Sequence, residues 1–278
     1  MQAFADPSIA GIISTIGGDD SIRLIPYIDL DVIRDNPKVF LGYSDTTISH
    51  FVCLQAGIGS FYGPSIMAGF GENAGLFPYM AEAVRKALFT SESIGELHPN
   101  TDGWTVEMLD WSKPDLQQQK RKLLPSIGWN FLQGKGINQG HLIGGCIEVL
   151  DWLRGSPLWP DLSLWEGAVL FLETSEEAPS PQAVKRIIRA FGAVGILEEI
   201  NAIMFGRPGG QVDPEAFAQY DQVLLDIVND EVKRPDLAIV TGMDFGHTDP
   251  MLILPYGRQC VIDCDRRTIC IPESAVVG

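Results

Sequence analysis

The chain is predicted to fold as an α/β protein, with an N-terminal parallel α/β sheet domain and a C-terminal mixed, β-rich α/β domain. Two observations lead there. From residue 9 to residue 89, short apolar runs alternate with segments of helical period, the signature of a parallel sheet with crossover helices. After Ser91 helical periodicity is poor up to Trp165, with short β-like pieces between Trp, Gly and Pro. It then returns with apolar runs at Ala168 to Leu172, Ala202 to Phe205 and Leu237 to Val240. The boundary is placed near Ser91, giving domains 1–91 and 92–278.

Ile9 to Ile16 reads as a buried parallel strand ending in Gly17-Gly18-Asp19-Asp20-Ser21, followed by helical pieces at Ile22 to Tyr27 and Asp31 to Asp35. Pro37 breaks the chain before a second strand, Val39 to Leu41. Thr46 to Ala56 reads as a helix with Ile48, Phe51, Val52 and Leu54 on one side, and Ser60 to Pro64 as a strand with its exit turn. Pro78 to Phe89 is helical by spacing, since Met80, Ala83, Val84, Ala87 and Leu88 share a face. Trp104 to Leu109 and Gln139 to Ile143 are β-like, Lys113 to Lys122 reads as a solvated charged loop, and Gly144-Gly145-Cys146 as a turn into a helix. Pro181 to Phe191 and Pro214 to Val232 are the later helices. Met251 to Ile271 alternates strand-like pieces.

The bulk composition excludes several function classes. With 278 residues, 45 % hydrophobic and 20 % charged, the chain has the make-up of a globular protein of one large or two ordinary domains. A formal net charge of −16 argues against a nucleic-acid polymer or an anionic membrane as partner, since both need clustered Lys and Arg. No apolar run is long enough for a transmembrane helix, and Met-Gln-Ala-Phe-Ala-Asp lacks the layout of a signal peptide. Cys53, Cys146, Cys260, Cys264 and Cys270 are scattered and odd in number. They read as free thiols of a reducing compartment, the cytoplasm, with no metal site.

Candidate chemistry starts at Gly42-Tyr43-Ser44-Asp45-Thr46-Thr47. A strand, a sharp turn holding a serine and a helix start make the layout of a nucleophile elbow, although the string is G-x-S-D rather than G-x-S-x-G. On its own it is more often a turn with a capping serine. Glu173 is the first polar residue after the strand Ala168 to Leu172, and Glu176 and Glu177 read as helix-entry acids. His247 follows Gly246 in a loop after the strand Leu237 to Val240. A hydroxyl needs a base, and the base needs an acceptor on its other nitrogen, so Ser44, His247 and Glu173 suit a serine triad. Their three strands are expected to end at one edge of a parallel sheet. The amides of Asp45 and of the Gly17-Gly18 turn are candidates for an oxyanion hole.

Gly42-Tyr43-Ser44-Asp45-Thr46-Thr47, Gly17-Gly18 after an apolar strand, Leu170-Phe171-Leu172-Glu173 and Phe245-Gly246-His247-Thr248-Asp249-Pro250 together resemble the LD-carboxypeptidase family of serine peptidases. The resemblance implies Ser44 as nucleophile, Glu173 and His247 as its partners, an oxyanion hole at Asp45 and Gly18, and a site at the domain junction of a homodimer. It implies no metal or organic cofactor. Two subgroups compete: one trims D-alanine from murein tetrapeptides, the other is similar to the microcin C immunity protein and cuts a peptidyl–nucleotide. Gly17-Gly18-Asp19-Asp20 and the Trp-rich stretch favour the second, with Gly17, Asp19 and Trp129 as substrate contacts and a nucleobase stacked on Trp129, whose other reading is core packing. Members of the family usually carry a further strand–helix–strand ahead of the segment matching Ala3 to Pro7. The resemblance therefore implies either an incomplete N-terminal sheet with an exposed edge or a sheet whose remaining strands close differently. It also leaves open an inactive binding protein.

Overall fold

The computed structural model describes residues 1–276. Short α1 (Gln2–Ala5) precedes β1 (Gly11–Ile13), a 3₁₀ segment (Ser21–Tyr27), α2 (Leu30–Asp35) and β2 (Val39–Gly42). Then come α3 (Thr47–Gln55), β3 (Phe61–Tyr62) and α4 (Pro78–Leu88). β1, β2 and β3 pair in parallel in that order. β1 forms the edge. Its expected two-sided burial is not found: Gly11 and Ile13 are exposed, and Ile16 just beyond is 46 % exposed. The apolar run is real, but the strand has one hydrogen-bonded neighbour and is three residues long.

The rest of the chain builds a larger mixed sheet. Its strands are β4 (Gly95–Leu97), β5 (Asn130–Gln133), β6 (Ile137–Cys146), β7 (Val169–Glu173), β8 (Ala202–Gly206), β9 (Ala238–Met243), β11 (Gln259–Asp263) and β12 (Thr268–Ile271), in the order β4-β12-β11-β6-β7-β8-β9-β5. The centre, β6 to β9, is parallel, and the flanks are antiparallel. β10 (Leu254–Pro255) leaves this half of the chain and closes the small sheet against β3. Trp104 to Leu109 makes only isolated bridges, one of them from Thr105 to Asp249.

Helices α5 (Ile147–Leu153), α6 (Pro181–Ala193), α7 (Ile196–Glu199) and α8 (Phe217–Leu225) connect the parallel strands. α6 shows how local sequence sets an element. Ser180 caps it by accepting from the Ala183 amide, Pro181 opens its first turn, and Val184, Ile188 and Phe191 bury one stripe. The long helix expected over 214–232 is three pieces: a 3₁₀ turn, α8 and a π turn at Asp226–Glu231. Leu170, Phe171, Leu172, Ile203, Met204 and Val240 are fully buried between helices, each contributing about 1.5–3 kcal/mol of burial.

Two corrections bear on the site. Gly144-Gly145-Cys146 is not a turn but the end of β6. There the Cys146 amide donates to Thr47 Oγ1 at 3.1 Å, which fastens the start of α3 to the large sheet. And the three strands that carry Ser44, Glu173 and His247 do not share one sheet. β2 belongs to the small sheet, β7 and β9 to the large one. The three residues meet because the two sheets abut.

Candidate active site

Ser44 follows β2 directly and has φ of +64°, the left-handed region that a residue with a Cβ occupies at a cost of ~1–3 kcal/mol. Two contacts hold it there. Its amide donates to Tyr62 Oη at 3.2 Å, and the Gly42 carbonyl before it accepts from His50 Nε2 at 2.9 Å. Gly17 passes close above: a Cβ there would stand 2.8 Å from Ser44 Oγ, so only glycine fits without a shift. Asp45 opens the helical turn. Its Oδ2 accepts from the Ser21 amide and hydroxyl at 3.0 and 2.6 Å, which draws the 3₁₀ segment onto the elbow.

His247 Nε2 lies 3.0 Å from Ser44 Oγ, and His247 Nδ1 lies 2.7 Å from Glu173 Oε2. Ser44 and His247 are 203 residues apart in the chain. Glu173 is fully buried at the end of β7, and its other oxygen accepts from the Tyr62 hydroxyl. Tyr62 thus touches both the backbone of Ser44 and the Glu173 carboxylate. Gly246 has φ of +91°, and a Cβ on it would come within 2.6 Å of the Glu173 carboxylate, so the glycine gives that carboxylate its path to the ring.

The electrostatics around His247 are dominated by anions. Burial of the ring opposes its charge, but the charge and hydrogen bond of Glu173, joined by Glu176, outweigh it and raise the pKa to about 10. Glu176 Oε2 stands 3.0 Å from the same Nε2 that faces Ser44. That contact with the His247 ring lowers Glu176 to about 2. Glu176 is 74 % exposed, so part of its pull is screened by water, whereas Glu173 acts across a buried gap.

These residues open on a cavity of about 430 Å³ whose wall includes Gly17, Gly18, Tyr43, Trp111, Arg121 and Glu176. Of the expected substrate contacts, Gly17 belongs to that wall, while Asp19 and Trp129 do not. Trp129 packs instead: its Nε1 donates to Asp244 Oδ2 at 2.7 Å, and Asp244 also pairs with buried Arg207 at 2.9 Å. The indole on the cavity wall is Trp111. Arg121 is a further correction. Rather than lying in a solvated loop, its side chain is 10 % exposed, forks onto Glu72 and reaches Asp249 at 2.9 Å. Sequence reading missed Tyr62, Trp111, Arg121 and the reach of Glu176. Glu72 and Asp249 lie 49 and 128 residues from Arg121, so no local pattern marks the pairing. For Glu176, the signal was the acid cluster after β7.

Family models agree with this architecture. The LD-carboxypeptidase N-terminal domain matches residues 1–63 and the LD-carboxypeptidase C-terminal domain residues 139–262, and the chain belongs to that family. It is 30 % identical to the microcin C7 self-immunity protein MccF of Escherichia coli, over 96 % of this chain and 75 % of that one. A solved MccF-like protein from Streptococcus pneumoniae in complex with AMP superposes with a TM-score of 0.86 at 32 % identity, covering 97 % of this chain and 80 % of that one. MccF in complex with glutamyl sulfamoyl guanosine superposes with a TM-score of 0.80 at 28 % identity, covering 99 % and 79 %. Among the described residues no helix is long and apolar enough to cross a membrane.

Proposed function

We propose that the chain is a serine hydrolase of peptide-like amides, acting by a Ser44–His247–Glu173 triad. The observation that carries this is the hydrogen-bonded chain from Ser44 Oγ through both ring nitrogens of His247 to the buried Glu173 carboxylate. In this reading Ser44 Oγ attacks the carbonyl carbon and its proton passes to His247 Nε2. The oxyanion so formed accepts from the amides of Asp45 and Gly18. The C–N bond then breaks, and the leaving nitrogen takes the proton from Nε2. Water, deprotonated in turn by His247, hydrolyses the ester on Ser44. Glu173 keeps Nδ1 protonated and offsets the charge of the imidazolium.

The substrate reading is a small peptidyl- or aminoacyl-nucleotide, as for a microcin C immunity-like enzyme in the cytoplasm, acting as a homodimer. It is supported by the likeness to structures solved with AMP and with glutamyl sulfamoyl guanosine. Trp111 on the cavity wall adds a platform where stacking on a base contributes about 1–3 kcal/mol. A murein tetrapeptide LD-carboxypeptidase uses the same triad, and an inactive binder uses the same cavity. The test incubates the chain and Ser44→Ala with a peptidyl sulfamoyl-adenosine and with a murein tetrapeptide, following products by mass spectrometry. The expected outcome is cleavage of the nucleotide conjugate by the parent alone. Release of D-alanine instead selects the murein reading, and no product from either folded protein selects the binder.

A further inference from the structure

Glu176 was expected to serve the entry of a helix, but α6 is capped by Ser180 and begins at Pro181, so that role is filled. Its carboxylate turns back to His247 instead. An imidazole nitrogen carries either one proton or one lone pair, and a carboxylate only accepts. Nε2 is in hydrogen-bond geometry with Ser44 Oγ at 3.0 Å, and Glu176 stands beside it as an ion-pair contact, so carboxylates at 2.7 and 3.0 Å face the two nitrogens and favour a proton on each. While the ring is an imidazolium, Nε2 donates to Ser44 Oγ and cannot accept its proton. Serine activation requires the ring to lose that proton, which Glu176 opposes while it stays beside Nε2.

The surroundings say what could draw it off. The charged and titratable groups near the ring are Glu173 on β7, Glu176 in the loop after it, Tyr43 with its ring 4.9 Å away, and Asp249 with Arg121. Burial raises the Tyr43 phenol far above its usual range, so it stays neutral. Arg121 is committed to Glu72 and Asp249 and also donates to the Glu107 carbonyl at 3.2 Å. On the described cavity wall, His247 is therefore the one cation that pairs with Glu176. The exposed Glu176 side chain faces the same cavity, where an incoming cation would compete for it.

We propose that Glu176 is a specificity-determining gate that recognises a free ammonium group on the acyl part of the substrate, the N-terminus of an aminoacyl or short peptidyl group, and, in pairing with it, frees His247 to lose its Nε2 proton. This rests on the triad reading above. When the ammonium takes the Glu176 carboxylate, the Nε2 proton passes to solvent and Nε2 can accept the proton of Ser44 Oγ. An acyl part with no amine, or with an acetylated one, leaves Glu176 beside the ring and the base protonated. The site thus selects substrates by a charge that lies off the scissile bond.

Labelling by a small neutral fluorophosphonate tests the gate without a natural substrate. Ser44 Oγ forms a bond to phosphorus, fluoride leaves, and the serine proton passes to His247. The rate is followed against pH by mass spectrometry in the parent and in Glu176→Gln. The variant is expected to reach half-maximal rate at least ~1 pH unit lower, and to label about tenfold faster at neutral pH. A second arm compares an aminoacyl sulfamoyl-adenosine with its Nα-acetyl form. The parent is expected to prefer the free amine by about tenfold or more, and Glu176→Gln to lose that preference. Coincident pH profiles, or an unchanged preference, overturn the gate and leave the triad standing. Failure of both folded proteins to label overturns the triad and the gate with it.

Discussion

Two buried histidines in this molecule have opposite fates. His50 is fully buried in α3. Its Nε2 faces the Gly42 carbonyl, which only accepts, so Nε2 carries the proton, and Nδ1 accepts from the Ser60 hydroxyl at 2.8 Å. Burial dominates and lowers its pKa to about 4, a little offset by the Gly42 bond. His247, with a side chain 6 % exposed, lies between two carboxylates and is raised to about 10. Burial is similar in both. What differs is the charge of the partners, and this makes one ring a neutral strut under the elbow and the other a group that can carry a proton.

The sharpest way to break the comparison is to remove each ring. His247→Ala is expected to lower kcat on a cleaved amide by as much as about 10⁶, and also to lower the melting temperature, because it leaves the buried Glu173 carboxylate without its partner. His50→Ala is expected to cost about 2–4 kcal/mol in urea melts, through a cavity and an unpaired Gly42 carbonyl and Ser60 hydroxyl. Equal losses of activity with no loss of stability in His50→Ala would end its reading as a strut. Next in size is Tyr62→Phe, which leaves the Ser44 amide and one Glu173 oxygen without a partner. It is expected to lower kcat about 10–100-fold with KM nearly unchanged, and an unaltered kcat would remove Tyr62 from the positioning of the site.

The smallest effect is the pH dependence of stability, and it has opposite signs for the two rings. His50 has a lowered pKa, so its contribution is complete above the ordinary value of 6.5 and is lost as pH falls toward about 4. His247 has a raised pKa, so its contribution is complete below 6.5 and is lost as pH rises toward about 10. The alkaline loss is the shallower, because the exposed Glu176 is screened. Urea melts across pH are expected to show the acid limb flattened in His50→Asn and the alkaline limb in His247→Gln. If either variant leaves its limb intact, that ring is not its source.

Much of the site was legible in the chain because its parts are local signals. Gly42-Tyr43-Ser44-Asp45 marks a strand-to-helix turn, Leu172-Glu173 ends an apolar strand with an acid, and Gly246-His247 follows another strand. The reading failed where a role depends on a distant partner. Trp129 and Trp111 are both tryptophans in a stretch without periodicity, and nothing local says that one bonds Asp244 while the other lines the cavity. Arg121 is one cation in a charged run until Glu72 and Asp249 approach it.

The sequence by itself determined the α/β class, the order of strands and helices, and which serine, acid and histidine sit just past strands, since apolar period and turn chemistry act over a few residues. Only the tertiary structure decided that β2 belongs to a different sheet from β7 and β9, that β10 crosses back to close the smaller sheet, and that Glu176 shares a ring nitrogen with Ser44. The physical reason is one of range. Propensity is read along the chain, whereas charge, burial and hydrogen-bond partners act through space, across separations that the linear order does not record.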